Sequence, residues 1–143
     1  MSDKSKVLDL RNKQLKSIPQ RYIDSNRDIE SLILNNNKFV EFPSSIFEFK
    51  QLKSLAIKNN DIHSIPKEIY ELRKLENLDL RGTKIHELPS SLKSLTNMKL
   101  IIMFDVDLTD IQKNNIKCVL PPDCEVMFSK KYREYPPYEC DNK

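Results

Sequence analysis

Residues 52–74 read LKSLAIKNNDIHSIPKEIYELRK, and the same arrangement of apolar residues returns on both sides of them at intervals of 23. Ile29, Leu52, Leu75 and Met98 form one column at this interval. Leu32, Leu55, Leu78 and Ile101 form a second, and Leu34, Ile57, Leu80 and Met103 a third. Further columns are Phe39, Ile62, Ile85, Leu108 and Phe42, Ile65, Leu88, Ile111, followed by Pro43, Pro66, Pro89. An earlier unit fits with one extra residue: Leu8, Leu10, Leu15, Ile18, Pro19 and Ile23, the insertion falling within residues 20–28. A repeat of this length is a supersecondary unit that buries its apolar face only by stacking on its neighbours.

Within each unit the alternation around Leu55-Ala56-Ile57 suits a short strand with one face inward. The proline then opens a return segment, where its fixed φ suits the first position of a short helix or 3₁₀ turn. Apolar residues every third position in Pro66-Lys67-Glu68-Ile69-Tyr70-Glu71-Leu72 point the same way. The pattern LxxLxLxxNxLxxLPxxIxxLxx resembles the leucine-rich repeat family in its short intracellular form, over residues 7 to about 108. Asn37 and Asn60 stand where that family carries its asparagine ladder, with Thr83 as a hydroxyl substitute. Lys13 and Val106 replace it in the end units. The resemblance implies an α/β fold: a right-handed solenoid with a parallel β-sheet on the concave face and short helices or 3₁₀ turns on the convex face.

The C-terminal end reads as a helix-plus-strand cap over residues 109–128. Thr109-Asp110-Ile111-Gln112 has the form of a capping box, predicting a helix from 110 to about 119 stopped by Pro121-Pro122. Cys124 lies 23 residues after Ile101 and Val126 lies 23 after Met103, so residues 124–128 are expected to form a sixth strand in the old register, with Cys124 a buried thiol. Residues 1–128 are thus one repeat domain. Residues 129–143, with Tyr132, Tyr135 and Tyr138 around Pro136-Pro137, form a tail that either lies against the last turn or stands apart.

Several functions are excluded or disfavoured. Gly82 is the one glycine, so neither a GxGxxG nor a Walker phosphate loop is available. Lys plus Arg is 24 against 21 Asp plus Glu, too small an excess to provide a phosphate-tracking stripe. His63 and His86, even with Glu41 and Glu87 nearby, make a poor zinc set. No histidine falls near a serine or cysteine, so no nucleophilic pair emerges. The reading is a non-enzyme with no catalytic residues, cofactor or metal, and no nucleic-acid partner. The longest apolar run, Leu100 to Phe104, is too short to span a bilayer. Cys140-Asp141-Asn142-Lys143 does not suit prenylation. A polar start at residues 1–6 and an odd cysteine count predict reduced thiols and a cytoplasmic location.

Function is therefore expected on the outward strand positions. One row reads Asp9, Ile33, Ala56, Asp79, Ile102, Glu125 and the next Arg11, Asn35, Lys58, Arg81, Phe104, Met127. The positive groups beside Asp9 and Asp79 read either as solvated charge with weak cross-strand pairing or as a mixed-charge contact face. Leu100, Ile102, Phe104 and Met127 form an apolar end that either receives a partner or is covered by the tyrosine tail. Phe47 and Tyr70 are a secondary convex pair. The expected function is recognition of a protein partner through this face, as scaffold, regulator or neutraliser. The alternative is a recognition or regulatory subunit of an enzyme complex such as a ligase or phosphatase. A monomer is expected, with a homodimer through the C-terminal end left open.

Overall fold

The computed structural model describes residues 6–140. The leader reading of residues 1–6 and the lipidation reading of residues 140–143 lie outside them except for Lys6 and Cys140. Six three-residue strands, β1 (Val7–Asp9), β2 (Ser31–Ile33), β3 (Ser54–Ala56), β4 (Asn77–Asp79), β5 (Leu100–Ile102) and β6 (Glu125–Met127), form one parallel sheet in sequential order. Leu32, Leu55, Leu78, Ile101 and Val126 stack in register and are buried. Strands this short persist because the four inner ones are paired on both sides and all six are backed by a continuous apolar core. Among the described residues no helix is long and apolar enough to cross a membrane.

The return segments run as 3₁₀ turns at Ser44–Glu48, Lys67–Glu71 and Ser90–Ser94. Each preceding proline sits one position earlier than anticipated, at the N-cap with extended ψ, because it must turn the chain before the first helical residue. The first unit instead carries an α-helix, α1 (Gln20–Asp24). An α-helix advances ~1.5 Å per residue against ~2.0 Å for a 3₁₀ turn, so the extra residue of this unit is absorbed there.

The same arithmetic corrects the sixth strand. Glu125 lies beside Leu100 and Met127 beside Ile102, two residues later than the 23-residue register predicts. Between them stands α2 (Asp110–Lys117), a longer α-helix that needs more chain to make the return. The slip is even, so inward and outward faces are kept: Cys124 and Val126 are fully buried. The capping box is present, with Thr109 Oγ1 accepting from the Gln112 N–H at 3.1 Å and Gln112 Oε1 accepting from the Thr109 N–H at 2.9 Å. The helix ends with Cys118 as C-cap, slightly short of position 119.

Among the described residues the buried polar side chains are those of the ladder, Asn37, Asn60 and Thr83. Asn60 Nδ2 donates to the carbonyls of Leu34 and Ile57 at 3.0 Å each, and its Oδ1 accepts from the Phe39 N–H at 3.2 Å. Asn37 binds the Leu10 and Leu34 carbonyls and the Leu15 N–H in the same way, each at 2.9 Å. Thr83 supplies one donor, to the Leu80 carbonyl at 2.8 Å, and accepts from the Ile85 N–H at 3.4 Å. Just before the ladder, Asn12, Asn36, Asn59, Gly82 and Asp105 all have φ between 57° and 65°. Glycine, asparagine and aspartate are the residues that tolerate this left-handed backbone.

Candidate protein-binding face

The outward side chains of the strands form the middle row Asp9, Ile33, Ala56, Asp79, Ile102 and Met127. Arg11, Asn35, Lys58, Arg81 and Phe104 follow two residues on, where the strands exit. Among the described residues the Asp9 and Asp79 carboxylates pair with the arginine two residues on in the same turn and not with a neighbouring strand, which corrects the cross-strand expectation. Arg81 donates from Nη2 at 2.6 Å and from Nε at 2.9 and 3.0 Å to the Asp79 carboxylate. Arg11 grips Asp9 in the same fork, with Nη2 at 2.7 Å. Each arginine N–H also binds its aspartate at 3.1 Å, because an i, i+2 carboxylate closes a turn onto the backbone at the strand exit. The Arg11 bond holds the Asp9 carboxyl below the usual carboxylate range. Asn35 is engaged too, its Oδ1 accepting from the Lys58 N–H at 2.9 Å.

The C-terminal half differs. Leu100, Ile102, Phe104, Met127 and Phe128 are all half-buried. The Phe104 ring carries the Arg81 guanidinium at 5.1 Å and the Lys130 ammonium at 5.9 Å from its centroid. Such contacts are worth about 0.5–1 kcal/mol at a surface and hold the ring in place. Phe104 is thus an aromatic side chain presented between two cations, one on the sheet and one on the tail.

The tail is folded back, beyond the edge of the sheet. Glu134 and Val126 exchange both backbone hydrogen bonds, at 2.7 and 3.0 Å, in an antiparallel bridge on the outer side of β6. Lys117 binds Glu134 at 3.0 Å and Arg133 binds Glu125 at 2.9 Å. The Tyr138 hydroxyl donates between the Cys124 carbonyl, at 2.8 Å, and the Glu134 carbonyl, at 2.9 Å, and its ring packs on the core. Tyr132 and Tyr135 remain exposed, so Lys130 is the tail group that sits on Phe104. Cys118 and Cys140 form a disulfide. This overturns the expectation of reduced thiols for these two residues: the tail's return brings Cys140 onto the end of α2, which spacing in the sequence could not disclose. Cys124 is the free thiol, buried, and burial pushes it up to about 12.

On the convex side Phe47 stacks with Phe42, ring centroids 5.6 Å apart, while Tyr70 is exposed. His63 and His86 are exposed, and no group of three His, Cys, Asp or Glu residues suited to a metal occurs among the described residues.

The model of the leucine-rich repeat region matches residues 46–118. The chain belongs to the leucine-rich repeat family. A leucine-rich repeat protein of Leptospira interrogans superimposes with a TM-score of 0.75 at 30% identity, over 85% of this chain and 30% of that one. The leucine-rich repeat ectodomain of the receptor kinase SOBIR1 from Arabidopsis thaliana gives 0.56 at 28%, over 71% and 57%. An internalin from Listeria monocytogenes gives 0.55 at 23%, over 69% and 28%, a likeness of fold alone. The chain spans less than two thirds of the length of each. Comparison with curated protein sequences gave no match.

In this leucine-rich repeat domain the face residues named from sequence fall into two groups joined by Ile33, Asn35 and Lys58 between them. Asp9, Arg11, Asp79 and Arg81 are committed to their forks, whereas Leu100, Ile102, Phe104 and Met127 lie together at the C-terminal half with Lys130, which sequence reasoning missed. Nothing in the repeat register could have found Lys130, because the bridge at Glu134 places it. The left-handed column was legible as Asn, Asn, Asn, Gly, Asp immediately before the ladder and was also missed.

Proposed function

We propose that this leucine-rich repeat domain is a non-catalytic recognition module that binds a protein partner through the concave face, centred on Phe104. Leucine-rich repeat proteins generally mediate protein–protein recognition, and the arrangement around Phe104 supports that use here. The ring is pre-positioned by Arg81 and Lys130, so little side-chain freedom is lost on binding. Ile102, Leu100 and Met127 surround it with apolar surface, the setting in which an aromatic anchor dominates an interface. Ile33, Asn35 and Lys58 extend the face towards the Asp9–Arg11 fork. The reading takes the module as a monomer of the cytoplasm, where the Cys118–Cys140 bond is open to reduction.

Affinity capture from native lysate with the wild-type chain and with Arg81→Glu/Phe104→Ala, read by mass spectrometry, tests this. A protein held by the wild type and lost with the variant is the expected result, and Phe104→Ala alone should leave the melting temperature nearly unchanged. Identical capture by both baits would move attention to the convex side. An enzyme among the specifically lost proteins would select the role of recognition or regulatory subunit over that of scaffold.

A further inference from the structure

We propose that the Cys118–Cys140 bond is a thiol–disulfide exchange site that latches the 129–140 tail over Cys124 and the outer edge of β6, and that a dithiol reductant opens the tail while the rest of the sheet stays folded. The covalent tie joins the end of α2 to the last described residue of the tail. Besides that bond, the tail is held by the Val126–Glu134 bridge, two ion pairs, the Tyr138 hydroxyl and ring, and Lys130 on Phe104. Of its three tyrosines, Tyr138 alone packs on the core. By contrast the repeats are joined by a continuous apolar interior in which the tail has little share.

The bond can be reached. An open cleft of about 510 Å³ has Cys118 on its lining, with Asn114 and Lys117 on one wall and Pro137 and Glu139 on the other. A thiolate of the reductant attacks Sγ of Cys118 and forms a mixed disulfide. The electron pair of the broken bond leaves on Cys140, which takes up a proton. The second thiol of the reductant then attacks the mixed disulfide, releasing Cys118 as a thiol, and the reductant departs as its own disulfide. Two electrons and two protons pass from reductant to protein.

Cys118 and Cys140 are 22 residues apart. On the chain-entropy account, cutting a loop of that size favours the open tail on the order of 100-fold. What opens is specific: the Cys124 carbonyl loses the Tyr138 hydroxyl and the outer side of Val126 loses its backbone partner. Cys124 then reports the opening, because it is the sole thiol both in the oxidised wild type and in Cys118→Ser/Cys140→Ser.

The experiment measures iodoacetamide labelling of Cys124 by intact mass at pH 8, with amide exchange of β2–β4 followed in parallel. Oxidised wild type should weigh two hydrogens less than the all-thiol chain and label slowly. The double variant should label on the order of 100-fold faster with β2–β4 protection unchanged. Dithiothreitol should weaken latching in the wild type in the same way, and reoxidation with diamide should restore slow labelling. An all-thiol mass after diamide treatment overturns the proposal, as do labelling rates within threefold of each other. Loss of β2–β4 protection in step with labelling also overturns it, since the bond would then be a staple for the whole fold.

Discussion

The Asn59 side chain occupies the space that a Cβ on Gly82 would need: such an atom would collide with Asn59 Oδ1. Asn59 Nδ2 meanwhile donates to Asn36 Oδ1 at 2.8 Å, so this exposed amide is held from the preceding turn while it fills the space beside the glycine. Gly82 also has φ of +65°. Gly82→Ala should therefore cost ~1–2 kcal/mol for the left-handed backbone alone, plus the displacement of Asn59. Urea unfolding of Gly82→Ala, Asn59→Ala and the double variant separates these parts. A smaller cost of Gly82→Ala in the Asn59→Ala background is expected; equal costs would show that only the backbone matters.

Asn60 bonds four backbone groups from two successive turns, and Asn60→Ala leaves them without that partner. An unpaired buried group costs ~1–3 kcal/mol, so the loss should be at least as large as that of Thr83→Ala, where the Leu80 carbonyl and the Ile85 N–H lose a partner. Denaturant midpoints of the two variants give the comparison.

Leu78 is 1% exposed at the inward position of β4. Leu78→Ala should cost ~2–5 kcal/mol, measurable in the same titration, whereas Phe104→Ala on the opposite face should not.

The repeats were legible because their chemistry is periodic. Leu32, Leu55 and Leu78 announce a strand whatever surrounds them, and Asn37 and Asn60 announce its exit. The cap is where periodicity fails. The capping box at Thr109 fixed where α2 starts, but the length of the helix, and hence the slip that puts Met127 beside Ile102, depends on how far the helix must travel to reach β6. Lys130 and Cys140 take their places from the fold of the tail on that strand, a tertiary fact with no local signature. The forks at Asp79–Arg81 were visible as residues but not as pairs, because the sequence does not show whether a side chain reaches sideways or along its own strand.

Burial raises the Cys124 thiol to about 12, above the ~8.5 of an exposed cysteine. The folded state therefore keeps its proton where the unfolded chain has lost it. The stability this contributes is complete below pH ~8.5 and is lost progressively as pH rises through about 12. Tyr138, raised chiefly by burial and further by the neighbouring Cys124, acts in the same direction at higher pH. Cys124→Val should flatten the decline between pH 8.5 and 10, read from melting temperatures across that range; an unchanged slope would mean the thiol is not insulated.

At acid pH the Glu30–Lys53 contact, 3.0 Å, governs a smaller effect. The Lys53 hydrogen bond keeps the Glu30 carboxyl below its usual range, so its contribution is present above that range and disappears as pH falls through the lowered value. Glu30→Gln should show a shallower fall in melting temperature between pH 5 and pH 3 than the wild type.

That contact belongs to a series along the entry edge of the sheet, Glu30, Lys53, Glu76 and Lys99, in which Lys99 binds Glu76 at 3.5 Å. The signs alternate, so the electrostatic period of the molecule is two turns while its geometric period is one. A duplicated residue block 52–74, spliced in after Lys74, would satisfy the core and the ladder yet set two lysines side by side. Duplicating 52–97 would preserve both periods. Lengthening of this domain by copying is thus easier in pairs of repeats than singly.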